Sequence, residues 1–77
     1  MVQAYILIQT EVGRASQVAQ EITGISGVTL ADYVTGPYDV IARVEAVGVD
    51  ELGQLVIARI QDVPGITRTL TCTVVHV

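Results

Sequence analysis

Residues 22–29 read Ile-Thr-Gly-Ile-Ser-Gly-Val-Thr, and residues 60–67 read Ile-Gln-Asp-Val-Pro-Gly-Ile-Thr. The pattern Ile22-x-x-Ile25-x-Gly27-Val28-Thr29 returns as Ile60-x-x-Val63-x-Gly65-Ile66-Thr67, at an offset of 38 throughout. Each copy marks one event: an apolar helical stripe ends, glycine breaks the backbone, and a β-branched run begins. A chain that carries this event twice is built from two similar halves.

Working outward from the first copy, Ala15, Val18, Ala19 and Ile22 fall at i, i+3, i+4 and i+7, which predicts a helix over residues 14–23. Ahead of it, residues 2–10 (VQAYILIQT) alternate as a strand, with Val2, Ala4, Ile6 and Ile8 on one face and Gln3, Tyr5, Leu7 and Gln9 on the other. Behind it, residues 28–35 predict a second strand, Gly36-Pro37 a turn, and residues 38–46 a third strand paired with the second as a hairpin. Asp50 is a candidate N-cap for a helix over residues 51–62, with Leu52, Leu55, Val56, Arg59, Ile60 and Val63 on one stripe and Arg59 at its edge. Pro64-Gly65 stops it, and residues 66–77 form the last strand. The strand residues Tyr5-Ile6-Leu7-Ile8 match Val40-Ile41-Ala42 at an offset near 34, so about four extra residues are expected between strand and helix in the second half. The order βαββαβ predicts a ferredoxin-like α+β sandwich: an antiparallel sheet of order 4-1-3-2 with both helices on one face.

Such a sheet leaves one face without helices. Strict alternation assigns Ile6, Ile8, Val28, Leu30, Val40, Val44, Leu70, Cys72 and Val74 to the helix side. It assigns Tyr5, Leu7, Tyr33 and Ile41 to the open face, among Gln3, Gln9, Arg43, Glu45 and the threonine ladder Thr67, Thr69, Thr71 and Thr73. Aromatic and aliphatic anchors among neutral polar groups suit a protein–protein surface, with two such sheets face to face. Tyr5, Leu7, Tyr33 and Ile41 are therefore the expected dimer contacts.

Composition points the same way. At 77 residues the chain is one domain, and 51% of it is hydrophobic, which excludes disorder. A domain this small without disulfide or metal gains buried area by self-association. Four basic residues, all arginine, against eight acids leave no basic patch for nucleic acid. The lone Cys72 excludes an intrachain disulfide and a cysteine-based zinc site. No signal peptide or membrane span is legible, so a soluble, cytoplasmic protein is expected.

No catalytic constellation is present. His76 stands next to the chain end, and neither a CxxC nor a phosphate-binding glycine motif occurs. Asp50-Glu51 suits a helix start. Two features remain. One is the turn Thr35-Gly36-Pro37-Tyr38-Asp39, where a carboxylate beside free backbone N–H groups suits the ammonium and carboxylate of an amino acid. The other reading is that Asp39 only pins the turn. The second feature is the threonine ladder, which is either a ligand-facing row or plain β-propensity.

The run 35–44 (TGPYDVIARV) resembles the T-G-x-Y-D-hydrophobic stretch of the Lrp/AsnC effector domain, also called the RAM domain. The run 60–69 (IQDVPGITRT) resembles that family's I/L-x-x-I/V-P-G-V-x-x-T segment. The resemblance covers essentially the whole chain. It implies the ferredoxin-like fold, dimers with facing sheets, higher assemblies of dimers, and amino-acid effectors bound near contacts between dimers. It places Gly36, Tyr38 and Asp39 in the ligand-side loop, and Thr69 and Thr71 on the strand that helps line the same pocket. Members of the family usually carry an N-terminal helix-turn-helix, and none fits ahead of Val2. A single stand-alone effector domain over residues 1–77 is expected, one that needs no cofactor, binds no DNA, and either co-assembles with full-length regulators or acts as a sensor or sink of its own. Two alternatives are a dimeric α/β-barrel enzyme, which the apolar helix-facing positions disfavour, and a structural adaptor without ligand.

Overall fold

β1 (Val2–Thr10) runs through the middle of a four-stranded sheet, and Ala4, Ile6 and Ile8 on one of its faces are completely buried. The computed structural model describes residues 1–76, apart from the Leu55 side chain. The expectation that Leu55 joins the helix stripe lies outside the described residues, as does Val77; the last strand, expected over residues 66–77, ends at Thr73, and residues 74–76 do not continue it.

The other elements are α1 (Ala15–Thr23), β2 (Val28–Tyr33), β3 (Val40–Ala46), α2 and β4 (Ile66–Thr73). The helix α2 consists of Val49–Glu51, a wider-wound stretch Leu52–Ile57, and Ala58–Gln61. The sheet order is β2-β3-β1-β4 with every neighbouring pair antiparallel, the topology expected for a ferredoxin-like sandwich. Val18, Ala19 and Ile22 of α1 and Leu52, Val56 and Ile60 of α2 close over Ala4, Ile6, Ile8, Val40, Ala42, Val44 and Ala46, so one apolar layer between sheet and helices forms the core.

Three local expectations are corrected. Gly48, in extended conformation, precedes α2, so Asp50 is not its cap; Asp50 and Glu51 occupy the first turn, where the helix dipole favours acids. The additional residues of the second half lie inside α2, about one turn longer than α1, and not between strand and helix. Its middle is wound so that the Ala58 N–H donates to the Gly53 carbonyl, an i→i+5 bond. β2 and β3 are shorter than predicted and leave residues 34–39 as a connecting loop.

The fourth correction changes the surface. Both edge strands carry one extra residue near their start. In β2, Val28 opposes Val44 but Leu30 opposes Arg43; in β4, Ile66 opposes Thr10 but Arg68 opposes Gln9. The extra residues are Thr29 and Thr67, equivalent positions in the internal repeat. Past a bulge, every side chain changes face. Directly opposed residues share a face, so Leu30 and Asp32 (opposite Arg43 and Ile41) and Leu70 and Cys72 (opposite Leu7 and Tyr5) lie on the open face. Ala31, Tyr33, Thr69, Thr71 and Thr73 lie on the helix side. Val28, Ala31 and Ile66 pack against the core accordingly.

The bulge follows from how tightly the strand start is held. Gly27 has φ +96°, and a Cβ there would lie 2.6 Å from Val56 Cγ2 of α2 and 3.1 Å from the Glu45 carbonyl oxygen. The chain enters β2 pressed beneath α2, with the Glu45 N–H donating to the Gly27 carbonyl and the Thr29 hydroxyl donating to the Arg43 carbonyl. Gly65 enters β4 beneath α1 with the same φ of +96°.

Candidate functional site

The hairpin loop 34–39 folds back on the end of β1. The Val34 N–H donates to the Asp39 carbonyl at 2.8 Å and closes the loop. The Asp39 N–H donates to the Ile8 carbonyl, also at 2.8 Å. The Asp39 carboxylate crosses to β1, where its Oδ2 accepts from the Thr10 N–H at 2.8 Å and lies 3.4 Å from the Thr10 hydroxyl. The Gln9 amide donates to the Pro37 carbonyl at 3.0 Å. Two side chains therefore fix the loop onto the sheet, and Asp39 performs the pinning role that its turn position suggests.

Beside this loop the open face is hollow. Leu7 and Ile41 form the floor, and Val34, Thr35, Gly36, Pro37 and Tyr38 the wall, of a largely apolar concavity of about 520 Å³. Gly36 has φ +147°, and nothing lies within 4 Å of the place a Cβ would occupy, so a ligand can reach the backbone there. Of the residues expected to hold an effector, Gly36 and Tyr38 line this hollow, while Asp39 braces the loop against β1. Thr69 and Thr71 do not join them, because they lie on the opposite face of the sheet. The Thr69 hydroxyl there accepts from the Gln61 amide at 3.3 Å. Within one chain the two halves of the expected site are separate.

The rest of the open face has an apolar centre and a polar border. Ile41, Leu7 and Leu70 lie in one row across β3, β1 and β4. Arg43, Tyr5 and Cys72 form the next row, with the Arg43 guanidinium 5.9 Å from the Tyr5 ring centre, a cation–π distance. Leu30 adjoins Arg43 from β2. Gln3 donates to Glu45 at 3.2 Å along one border, and Gln9 and Arg68 form the other. Tyr5, Leu7 and Ile41 stand where alternation predicts, but Tyr33 does not. It lies on the helix side opposite Val40. Leu30 and Leu70 take its place, and Cys72 is exposed on the open face and not in the core. The shared Gly-Val-Thr and Gly-Ile-Thr of the two repeats was the one available signal for this exchange.

Among the described residues no group of three or more His, Cys, Asp and Glu side chains could hold a metal ion. No helix among them is long and apolar enough to cross a membrane.

A family model described as the Lrp/AsnC ligand binding domain matches residues 3–77. An uncharacterised helix-turn-helix transcriptional regulator of Pyrococcus furiosus is 33% identical over 55 residues, which are 71% of this chain and 37% of that protein. The chain thus spans well under half the length of the curated relatives it matches. The crystal structure of TTHA0845 from Thermus thermophilus superposes with a TM-score of 0.90 at 31% identity, covering 100% of this chain and 96% of that one. E. coli AsnC superposes with a TM-score of 0.87 at 26% identity, covering 97% of this chain and 51% of that one.

Proposed function

The chain belongs to the Lrp/AsnC ligand-binding domain family, and on that footing we propose that it is a non-enzymatic, self-associating domain that binds an amino acid and passes its occupancy to regulators of the same family. The observation that carries the ligand reading is the hollow of about 520 Å³ walled by residues 34–38. It is apolar enough for an aliphatic or aromatic side chain and bordered by backbone N–H groups at the turn. Oδ2 of Asp39 is committed to Thr10, which leaves Oδ1 to accept from the ligand ammonium. Thr69 and Thr71 face away from this hollow, so any hydroxyls they contribute to an effector come from a neighbouring copy. The site is then complete only in an assembly of dimers.

Dimerisation uses the open face. Tyr5, Leu7 and Ile41, with Leu30 and Leu70, stack against the same residues of a second copy. DNA contact belongs to the regulator partners and not to this acidic chain, and the cytoplasm is the place of action. A thermal-shift panel of amino acids tests the ligand reading. A true effector stabilises the folded state by RT ln(1 + [L]/Kd), so Tm rises with concentration. If no amino acid shifts Tm at millimolar concentration, the ligand reading is withdrawn and the domain is a structural adaptor.

A further inference from the structure

Unused backbone donors and an apolar hollow meet at the 34–39 loop. Of the loop's N–H groups, Val34 donates to the Asp39 carbonyl and Asp39 to the Ile8 carbonyl. Pro37 has none to give. The Thr35, Gly36 and Tyr38 N–H groups donate to no acceptor among the described residues. They surround Gly36, where the missing Cβ leaves the backbone open. On Asp39, Oδ2 accepts from Thr10 and Oδ1 carries no bond. These groups suit the charged ends that every amino acid shares, so they choose among none of them. Selection falls to the hollow.

No charged side chain lines it. Leu7, Ile41, Val34 and Pro37 present hydrocarbon, and Thr35 and Tyr38 add one hydroxyl each, neither of them bonded to another described residue. A charged ligand side chain would lose hydration here and meet no counter-charge, which disfavours it strongly. A side-chain amide would find two hydroxyls for its two donors and its carbonyl. Among apolar side chains, size decides. The hollow of about 520 Å³ falls within the roughly 300–1,000 Å³ of sites that enclose whole small molecules. An alanine or valine side chain leaves most of that space to water. An aromatic side chain brings about 150–250 Å² of surface to bury, and an offset or edge-to-face ring contact adds about two- to tenfold in affinity beyond the area. Tyr38 supplies such a ring in the wall. We propose that the hollow is a side-chain pocket selective for aromatic amino acids. In it Tyr38 sets the preference for a ring over an aliphatic chain, and the Thr35 hydroxyl accepts from an indole N–H. This rests on the effector reading above and names the class of effector.

The test is titration calorimetry on the purified protein with phenylalanine, tryptophan, leucine, valine, alanine, asparagine and lysine. Each buried methylene changes affinity about fourfold, so phenylalanine and tryptophan should bind at least about tenfold more tightly than valine or alanine. Lysine should give no heat at millimolar concentration. Tyr38→Leu keeps an apolar wall and removes its ring, so phenylalanine and tryptophan should weaken about two- to tenfold while leucine is unchanged. Tyr38→Phe restores the ring and should keep the parent's order of phenylalanine over leucine, which decides the matter even where Tyr38→Leu fails to fold. Thr35→Val removes a hydroxyl at nearly constant volume, so tryptophan should weaken about fivefold and phenylalanine stay as it is. Leucine or valine binding more tightly than phenylalanine overturns aromatic selection and leaves the amino-acid reading standing. Equal weakening of leucine and phenylalanine by Tyr38→Leu overturns the role of the ring. Asparagine or lysine binding most tightly overturns the hollow as the side-chain pocket. No heat with any of the seven overturns the effector reading as well.

Discussion

Asp39 has one role visible in the structure and one proposed, and substitution can separate them. Asp39→Ala removes the acceptor of the 2.8 Å bond from the Thr10 N–H and the 3.4 Å contact with the Thr10 hydroxyl. A hydrogen bond to a charged group contributes about 1.5–3 kcal/mol. Both residues are half-buried, so water replaces part of the lost bond and about 1–2 kcal/mol of stability is forfeited. In a domain of this size 1 kcal/mol lowers Tm by about 4–8 °C, so Asp39→Ala should melt about 5–15 °C below the parent. Asp39→Asn keeps a carbonyl oxygen for Thr10 and loses only the charge, so its Tm should lie between the two. Ligand affinity should order differently. An ammonium needs the carboxylate charge, so both variants should bind the effector about 10- to 100-fold more weakly. The assay is thermal unfolding at one protein concentration, since assembly also raises Tm. Calorimetry follows, with whichever amino acid stabilises the parent. An alanine variant that melts with the parent refutes the pinning argument. An asparagine variant with full affinity removes the Asp39 charge from the ligand site.

Three further outcomes are expected. Gly27→Ala should cost about 2–5 kcal/mol, combining a left-handed backbone with a Cβ 2.6 Å from Val56. Gly13→Ala, with φ +81° and nothing within 4 Å, should cost about 1–2 kcal/mol; equal losses in urea titrations would contradict the close packing of β2 beneath α2. Leu70→Glu should dissociate the dimer in sedimentation while Thr71→Glu leaves it intact, and the reverse ranking would restore an unbulged β4. The purified chain should not retain duplex DNA in a mobility-shift assay, because Arg14, Arg43, Arg59 and Arg68 are spread over separate elements; salt-sensitive binding would contradict this.

Local signals along the chain were enough to establish the two-half architecture. The offset of 38 between Ile22 and Ile60, the helical stripe of Ala15, Val18, Ala19 and Ile22, and the alternation of β1 and β3 each depend on residues close together in sequence. They led to the observed strand order and to the correct faces for Tyr5, Leu7 and Ile41, because β1 and β3 pair with each other without interruption. The family motif at residues 35–39 was legible for the same reason. Tertiary structure decided what the edge strands present. Counting alternate residues through β2 and β4 placed Tyr33, Thr69 and Thr71 on the open face and Leu30, Leu70 and Cys72 in the core; the bulges at Thr29 and Thr67 reverse all six. Each bulge lies where a glycine is pressed beneath a helix from the other half of the chain, Gly27 under Val56 and Gly65 under Val18. The bond that the Thr10 N–H donates to Asp39 likewise spans 29 positions. A one-residue slip in a period of two exchanges the faces of a strand, and the contacts that accompany this slip join residues remote in sequence, so no local pattern carries it.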